Sequence, residues 1–177
     1  MKVGIPVYVL NSRRPEGTGT RITFDSPRRP VTAIAGKTGV TVVRVRSSRM
    51  LLAHGFLRTI FDLFERHRIS VDVVSTSEVS VSVTVDDAAR LDELLVDLRA
   101  HGDVAVERGR GIVALVGTGI ADSCTAMSQA LGALGDCRVH MVSLSATGLN
   151  LTIVLDEDAV HDAMRRLHTT FFEGAAA

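Results

Sequence analysis

The chain has 177 residues, of which 46% are hydrophobic, so it can form one domain or two small domains with apolar cores. Twenty Lys and Arg residues balance twenty Asp and Glu residues, and this zero formal net charge argues against nucleic acid or an anionic membrane as the main partner. The sequence has no apolar run that could span a bilayer and no signal peptide, which predicts a cytoplasmic protein whose two cysteines, Cys124 and Cys137, are reduced, buried thiols.

The first thirty residues predict a loop and a linker rather than a domain. All four prolines of the chain lie there, together with five arginines. Only residues 5–10 have the pattern of a short strand. A piece this extended has no apolar core to bury, so we expect it to be the edge of something larger.

Residues 31–103 alternate between strand and helix patterns. The predicted strands cover residues 31–35, 40–46, 71–76 and 79–85, and the predicted helices cover residues 51–67 and 88–100. In the last of these strands, valines alternate with Ser and Thr, which is typical of a strand with one buried face.

The same order of elements recurs after residue 103. The predicted strands cover residues 104–108, 112–116, 138–145 and 149–155, and the predicted helices cover residues 122–134, capped by Asp122 or Ser123, and 157–172. Val-Asp-Val-Val-Ser-Thr-Ser at 71–77 matches Val-His-Met-Val-Ser-Leu-Ser at 139–145, an offset of 68 residues. Val83-Thr84 and Leu151-Thr152 have the same offset, which indicates an internal repeat.

Two copies of strand–helix–strand–strand–helix–strand predict an α+β fold of two ferredoxin-like units, each an antiparallel sheet with helices on one face. The second unit lacks a strand at its end, and residues 31–35 precede the first unit. We therefore expect that strand to join the second sheet, so that the first unit is inserted in the second. The predicted divisions are residues 1–30 for the N-terminal tail and linker, 37–103 for the first unit, and 31–36 with 104–174 for the second. Sheet edges and the helix-free faces are expected to remain open for a partner.

Residue patterns with catalytic chemistry are sparse. The segment 109–111 lacks the Lys-Ser or Lys-Thr end of a phosphate loop, and the segment 117–119 lacks the third glycine of a dinucleotide fingerprint. The six histidines show no metal-ligand spacing, and Ser143 and Ser145 have no evident base. We predict no catalytic residue and no metal site in this chain.

Residues 47–57 should connect the first strand of the first unit to its first helix. Gly55 would let the backbone approach a ligand, and amides at the helix start can hold a carboxylate. Residues 70–72 and 76–78 should lie opposite, where two carboxylates and several hydroxyls suit the ammonium group of an amino acid. The alternative is that Asp72 is an edge charge that blocks aggregation and that residues 76–78 are an ordinary turn.

These segments resemble a known family. Ser-Ser-Arg-Met-Leu-Leu-Ala-His-Gly-Phe-Leu at 47–57 and Ile-Ser-Val-Asp-Val-Val-Ser-Thr-Ser-Glu-Val-Ser-Val-Ser at 69–82 resemble the first regulatory ACT domain of monofunctional, lysine-regulated aspartate kinases. Residues 111–117 and 167–172 look like the second ACT domain, and residues 5–11 and 15–20 look like the last strand and loop of the kinase domain. The resemblance covers nearly the whole chain, but the nucleotide motif and the aspartate-binding residues of the family are absent.

The resemblance implies a truncated kinase or a separately made regulatory subunit, inactive alone and without a cofactor of its own. ATP and Mg²⁺ would be bound by a catalytic domain, in cis or in trans, that transfers the γ-phosphate to aspartate at the start of lysine, threonine and methionine synthesis. L-lysine would bind where the first ACT domains of two chains pack side by side, with Asp72 contacting an ammonium group. The implied effector-binding residues are Met50, Gly55, Phe56, Leu57, Ser70, Val71, Asp72, Thr76, Ser77 and Glu78.

Two departures from the family pattern leave alternatives open. Leu52-Ala53 stands where lysine-inhibited relatives often carry a polar pair, which permits a threonine-binding version or a structural dimerisation module with an empty pocket. Ala146 stands where the first unit has Glu78, so we expect the second unit to serve packing and dimerisation. A further alternative is an enzyme outside this family, against which the lack of a catalytic set argues.

Overall fold

The computed structural model of the chain describes residues 7–22, 29–51, 53–86 and 89–173. Its strands are β1 (Val7–Val9), β2 (Thr20–Ile22), β3 (Ala33–Arg46), β4 (Val71–Thr76), β5 (Ser80–Asp86), β6 (Asp103–Val116), β7 (Val139–Leu144) and β8 (Asn150–Asp156). Its α-helices are α1 (Phe56–Arg66), α2 (Leu91–Arg99), α3 (Cys124–Ala133) and α4 (Val160–His168). Strands β3 to β8 form one six-stranded antiparallel sheet in the order β4-β5-β3-β6-β8-β7.

The two fourteen-residue strands, β3 and β6, each serve two units. From Val40 to Arg46, β3 pairs with β5 and with the first half of β6. From Ala33 to Lys37, β3 pairs with the second half of β6, which in turn pairs with β8. The sheet thus contains two ferredoxin-like strand orders, β4-β5-β3-β6 and β7-β8-β6-β3. This pairing confirms that the first unit is inserted in the second.

The border between the two units lies within the long strands. Residues 103–107 pair with residues 42–46 and therefore lie in the first sheet, whereas the predicted division assigned residues from 104 onward to the second unit. The register of β3 shifts between Lys37 and Val40 and again before Val42. We propose borders at Gly39 and Gly109, whose φ angles of 72° and 66° are readily adopted by glycine.

Each unit packs two helices against one face of its sheet. The first core includes Val43, Val45, Ile60, Phe64, Val81, Val83, Leu94 and Leu98. The second core includes Val113, Leu115, Ile120, Leu134, Ile153, Leu155, Ala163 and Leu167. Within the strands these residues alternate, as expected for side chains that point to one face of a sheet.

In each unit the face of the sheet that carries no helices also buries apolar side chains. These two helix-free faces meet at a third apolar cluster. The outer strands β4 and β7 contact each other, so the six-stranded sheet curls back on itself. The buried residues of this cluster are Val40, Val42, Ile112, Met141 and Val154. The prediction that the helix-free faces remain open for a partner is wrong here, because each sheet buries apolar side chains against the other.

Most predicted elements are present, but several have different ends. Helix α1 begins at Phe56 rather than at residue 51: a 3-10 turn covers Ser48–Met50, and Gly55 has a left-handed, non-helical backbone directly before the helix. Helix α3 is capped by Ser123, whose Oγ accepts a hydrogen bond from the Ala126 amide at 3.1 Å. A 3-10 turn precedes α4 and a π-helical turn, Thr169–Glu173, follows it. The predicted strands 31–35 and 40–46 are one continuous strand, as are 104–108 and 112–116, because their pairing continues across the register shifts.

The internal repeat is not a constant 68 residues long. Thr76 pairs with Val81 in the first unit, and Leu144 pairs with Leu151 in the second. The turn before β8 is therefore longer than the turn before β5. The predicted match of Val83-Thr84 with Leu151-Thr152 is wrong for this reason.

Two predictions for the rest of the chain need correction. Strand β2, which falls in the predicted linker, forms a hairpin with β1, and residues 5 and 6 of the predicted first strand lie outside the described residues. Cys124 is exposed and Cys137 is half-buried, so these unpaired thiols are less buried than predicted.

None of the helices in the described part of the chain has the length and apolar character that a membrane span requires.

A network of charged side chains lies where β6, β7 and β8 meet. The His140 side chain is 4% exposed, and its two ring nitrogens lie 3.2 Å from a Glu107 oxygen and 2.9 Å from an Asp156 oxygen. Arg110 contacts the same two carboxylates, at 3.3 Å and 2.7 Å respectively. The hydrogen bond with His140, assisted by the charges of His140 and Arg110, holds the pKa of Asp156 below its ordinary value.

We expect Asp156→Asn to destabilise the protein more at neutral pH than in acid. A carboxyl group whose pKa is lowered by folding contributes stability that is present above its unfolded pKa and is lost as the pH falls through its folded pKa. Urea unfolding at a series of pH values should therefore show the wild type and the variant converging toward acid. Asp136→Asn, at an exposed position, serves as the control. A difference that did not change with pH would contradict this role of Asp156.

Candidate ligand site

The start of α1 forms one half of the candidate site. Gly55 precedes the helix with φ 83° and ψ 1°, a left-handed conformation that strains residues with a side chain. A Cβ atom at Gly55 would meet nothing within 4 Å, so the backbone conformation rather than crowding favours glycine. No side chain among the described residues caps α1, and its first amides are therefore available to an anion.

The turn between β4 and β5 lies at the same end of the first unit. The Ser47 amide donates a hydrogen bond to the Val79 carbonyl at 2.8 Å, which joins the end of β3 to this turn. The Ser77 amide donates to the Ser80 carbonyl at 2.8 Å. The exposed or half-buried residues that the structure places at this end are Met50, Gly55, Phe56, Leu57, Thr76, Ser77 and Glu78. Seven of the ten predicted site residues are thus brought to one end of the unit.

An arginine-rich groove of about 460 Å³ borders this end of the unit. Arg46, Arg49 and Arg99 line it, and no ion pair holds any of the three among the described residues. Asp103 also lines the groove, so the three arginines leave an excess of positive charge rather than a purely positive surface, and this excess adds to the helix dipole of α1, which also favours an anion. A ligand with a carboxylate would be attracted to this end of the unit.

The remaining predicted residues, Ser70, Val71 and Asp72, lie at the opposite end of β4. Asp72 and Thr76 belong to the same extended strand, and four residues along a strand span roughly 13 Å. One chain therefore does not bring Asp72 to the start of its own α1. Val71 also packs against the first core, whereas Ser70 is exposed.

Asp72 forms an ion pair with a lysine of its own chain. The Lys37 ammonium nitrogen lies 2.8 Å from Asp72 Oδ2 and also contacts Asp86. Hydrogen bonds with Asp72 and then Asp86 raise the pKa of Lys37 above its ordinary value, against a smaller effect of burial. Sequence reasoning missed this residue, although Lys37 is one of only two lysines among the twenty basic residues of the chain.

Other features of the site are limited. Leu52 lies outside the described residues, and Ala53 is exposed with its amide donating to the Met50 carbonyl at 3.2 Å. Within the described ranges, no group of three His, Cys, Asp or Glu side chains is arranged so that it could hold a metal ion. The site can therefore recognise charged groups of a ligand. Amides and arginines lie at one end of β4, and carboxylates lie at both ends.

Comparison with known proteins identifies relatives over the whole length of the chain. Residues 113–171 match the ACT domain family. Over 178 residues the sequence is 32% identical to the lysine-sensitive aspartokinase 3 of Escherichia coli (strain K12), an alignment that covers 96% of this chain and 40% of that protein. This chain therefore spans about two fifths of the length of that curated relative.

Two solved structures are similar to the fold described above. The crystal structure of E. coli aspartokinase III in complex with lysine and aspartate superposes with a TM-score of 0.83 and 31% identity, covering 97% of this chain and 40% of that chain. A proposed C-terminal regulatory domain of aspartate kinase from Porphyromonas gingivalis W83 superposes with a TM-score of 0.70 and 33% identity, covering 79% of this chain and 96% of that chain. This chain thus covers nearly the whole of that regulatory domain.

Proposed function

Because the chain belongs to the family of aspartate kinase regulatory domains, we propose that it binds L-lysine as a feedback effector between the first ACT domains of two copies. The observation that supports this proposal most directly is the division of the candidate site between the two ends of one edge strand, β4. A relative of known structure was solved in complex with lysine, which supports the choice of effector.

Strand β4 has the geometry that a two-chain site requires. It pairs with β5 alone among the described strands, and Asp72, Val74 and Thr76 are exposed along it. Antiparallel pairing of β4 with β4 of a second copy about a two-fold axis would set the start of one strand beside the end of the other. Asp72 of one copy would then lie near residues 76–78 and the start of α1 of the other copy.

The two halves of such a site complement the two kinds of charge on lysine. The uncapped amides of α1, with the neighbouring arginines, favour the carboxylate. Asp72 and Glu78 offer one carboxylate each for the two ammonium groups. Because both copies contribute, the ligand and the dimer should stabilise one another.

Regulation would follow from a shift between two conformations. If lysine binds an inhibited arrangement more tightly than an active one, a coupling of about 1–3 kcal/mol would inhibit a catalytic domain several-fold to about a hundredfold. We propose that this catalytic domain, in cis or in trans, binds ATP and Mg²⁺ and phosphorylates aspartate in the cytoplasm. This chain would then carry the regulation and none of the catalysis.

We expect lysine to raise the melting temperature of the protein and to shift it toward the dimer. A ligand at 100 times its dissociation constant stabilises the form that binds it by about 2.7 kcal/mol, which is measurable as a thermal shift. Threonine and methionine, tested in parallel with sedimentation of each mixture, should give smaller shifts. A response to threonine alone would favour the threonine-binding version.

A structural dimerisation module is the second candidate function. The ion pair between Lys37 and Asp72 favours it, because a lysine of the chain itself already neutralises the expected ammonium contact. A protein that dimerises but responds to none of the three amino acids at millimolar concentration would support this candidate and contradict the effector proposal.

A further inference from the structure

We infer that Lys37 competes with the ammonium group of the effector for Asp72 and thereby lowers the affinity of the site, an inference that rests on the proposed function. The Lys37 nitrogen lies 2.8 Å from Asp72 Oδ2, which is the position that an ammonium group of a bound amino acid would take. An effector ammonium group at Asp72 has to displace this tethered cation or share the single negative charge with it, and either weakens its contact. Lys37 therefore sets the affinity of the site through its contact with Asp72.

Asp86 makes this replacement feasible. It contacts the same Lys37 ammonium group from β5, so Lys37 keeps an anionic partner when Asp72 turns to a ligand. The three side chains are 43%, 36% and 62% exposed for Lys37, Asp72 and Asp86 respectively. Exposed ion pairs are weak, so a ligand can displace this one at a small cost. Binding would exchange one partner of Lys37 and leave no buried charge unpaired.

Lys37 also links the two units. It lies in the part of β3 that pairs with Ile112 in the second sheet, whereas Asp72 and Asp86 belong to the first unit. Gly36, its neighbour, fits closely against Met164 and Val160 of α4, which fixes this part of the strand on the second unit. An effector that takes Asp72 would remove one ionic contact between the units, next to the register shift that follows Lys37.

The test is isothermal titration of L-lysine into the wild-type protein and three variants. Lys37→Met removes the charge but keeps an unbranched side chain, so it should bind lysine about two- to five-fold more tightly, the range expected for losing one exposed ion pair. Lys37→Arg keeps the cation and should bind as the wild type does. Asp86→Asn removes the second partner of Lys37, holds it on Asp72, and should weaken binding.

The opposite signs of these changes separate competition from a merely structural role, which would weaken binding in the Lys37 and Asp86 variants alike. Tighter binding by Lys37→Met and weaker binding by Asp86→Asn support the inference, as does lysine binding by Lys37→Met alone. Equal or weaker binding by Lys37→Met, with lysine bound by the wild type, overturns the inference and leaves the proposed function standing. If neither the wild type nor Lys37→Met binds lysine, the proposed function itself is overturned.

Discussion

Replacing Asp72 with alanine should weaken lysine binding at least tenfold while leaving the dimer intact. Loss of a charge-assisted hydrogen bond to an ammonium group costs about 1.5–3 kcal/mol, which corresponds to roughly 10- to 150-fold in affinity. The dimer should persist because the pairing proposed for β4 uses its backbone rather than this side chain. Titration calorimetry measures the affinity, and sedimentation measures the dimer.

The Asp72→Ala experiment has a matched control on the same unit. Asp92 lies on α2, and its side chain is 89% exposed and pairs with Arg108, so Asp92→Ala removes one negative charge of the first unit that is not among the candidate site residues. We expect that variant to bind lysine as the wild type does. A normal lysine response from Asp72→Ala would show that the ammonium contact has been assigned to the wrong residue.

Replacing Phe64 with alanine should destabilise the protein by about 3–5 kcal/mol. Phe64 is 2% exposed in the core of the first unit, and removal of such a side chain loses both its burial and the packing around it. Phe61 lies on the same helix, its ring centre 6.3 Å from that of Phe64, but it is only half-buried. Phe61→Ala should therefore cost clearly less in urea unfolding.

The comparison of the two phenylalanines tests how α1 is held. The buried residues of the helix, Ile60, Leu63 and Phe64, all lie beyond its first turn, while Phe56 and Leu57 at its start belong to the candidate site. Losses of equal size from Phe61→Ala and Phe64→Ala would contradict the packing described here. If the folded Phe64→Ala protein binds lysine more weakly than the wild type does, the packing of Phe64 helps to hold the start of α1 in place.

Local sequence patterns predicted most of the fold because each element carries its own signal. The alternation of valines identified β5, the helical spacing of large apolar residues identified α1, and the missing final strand of the second unit predicted the insertion. The patterns could not show that the sheet curls. The β5 pattern predicted one exposed face, yet Ser82 and Thr84 are buried. The Thr84 hydroxyl accepts a hydrogen bond from the Val73 amide at 2.9 Å, a contact that only the tertiary structure defines.

The candidate site was predictable to a similar extent. The sequence could group Gly55 with residues 76–78. In a ferredoxin-like unit β3 and β4 run in the same direction on either side of β5, so their ends lie close together, and α1 begins at the end of β3. It could not reveal the ion pair of Lys37 with Asp72, since these residues are 35 positions apart and in different units. Charge pairing over such a distance is decided by where the strands bring the side chains.

The two long strands also decide how this protein can be recombined with its relatives. Because β3 and β6 each cross from one unit into the other, the first unit, residues 40–108, can be exchanged only by cutting both long strands. A chimaera made in this way would join strand segments from two parents within the sheet, next to the register shifts of β3. Ligand preference is therefore best transplanted between homologous regulators by grafting side chains onto an intact pair of units, not by exchanging one unit for another.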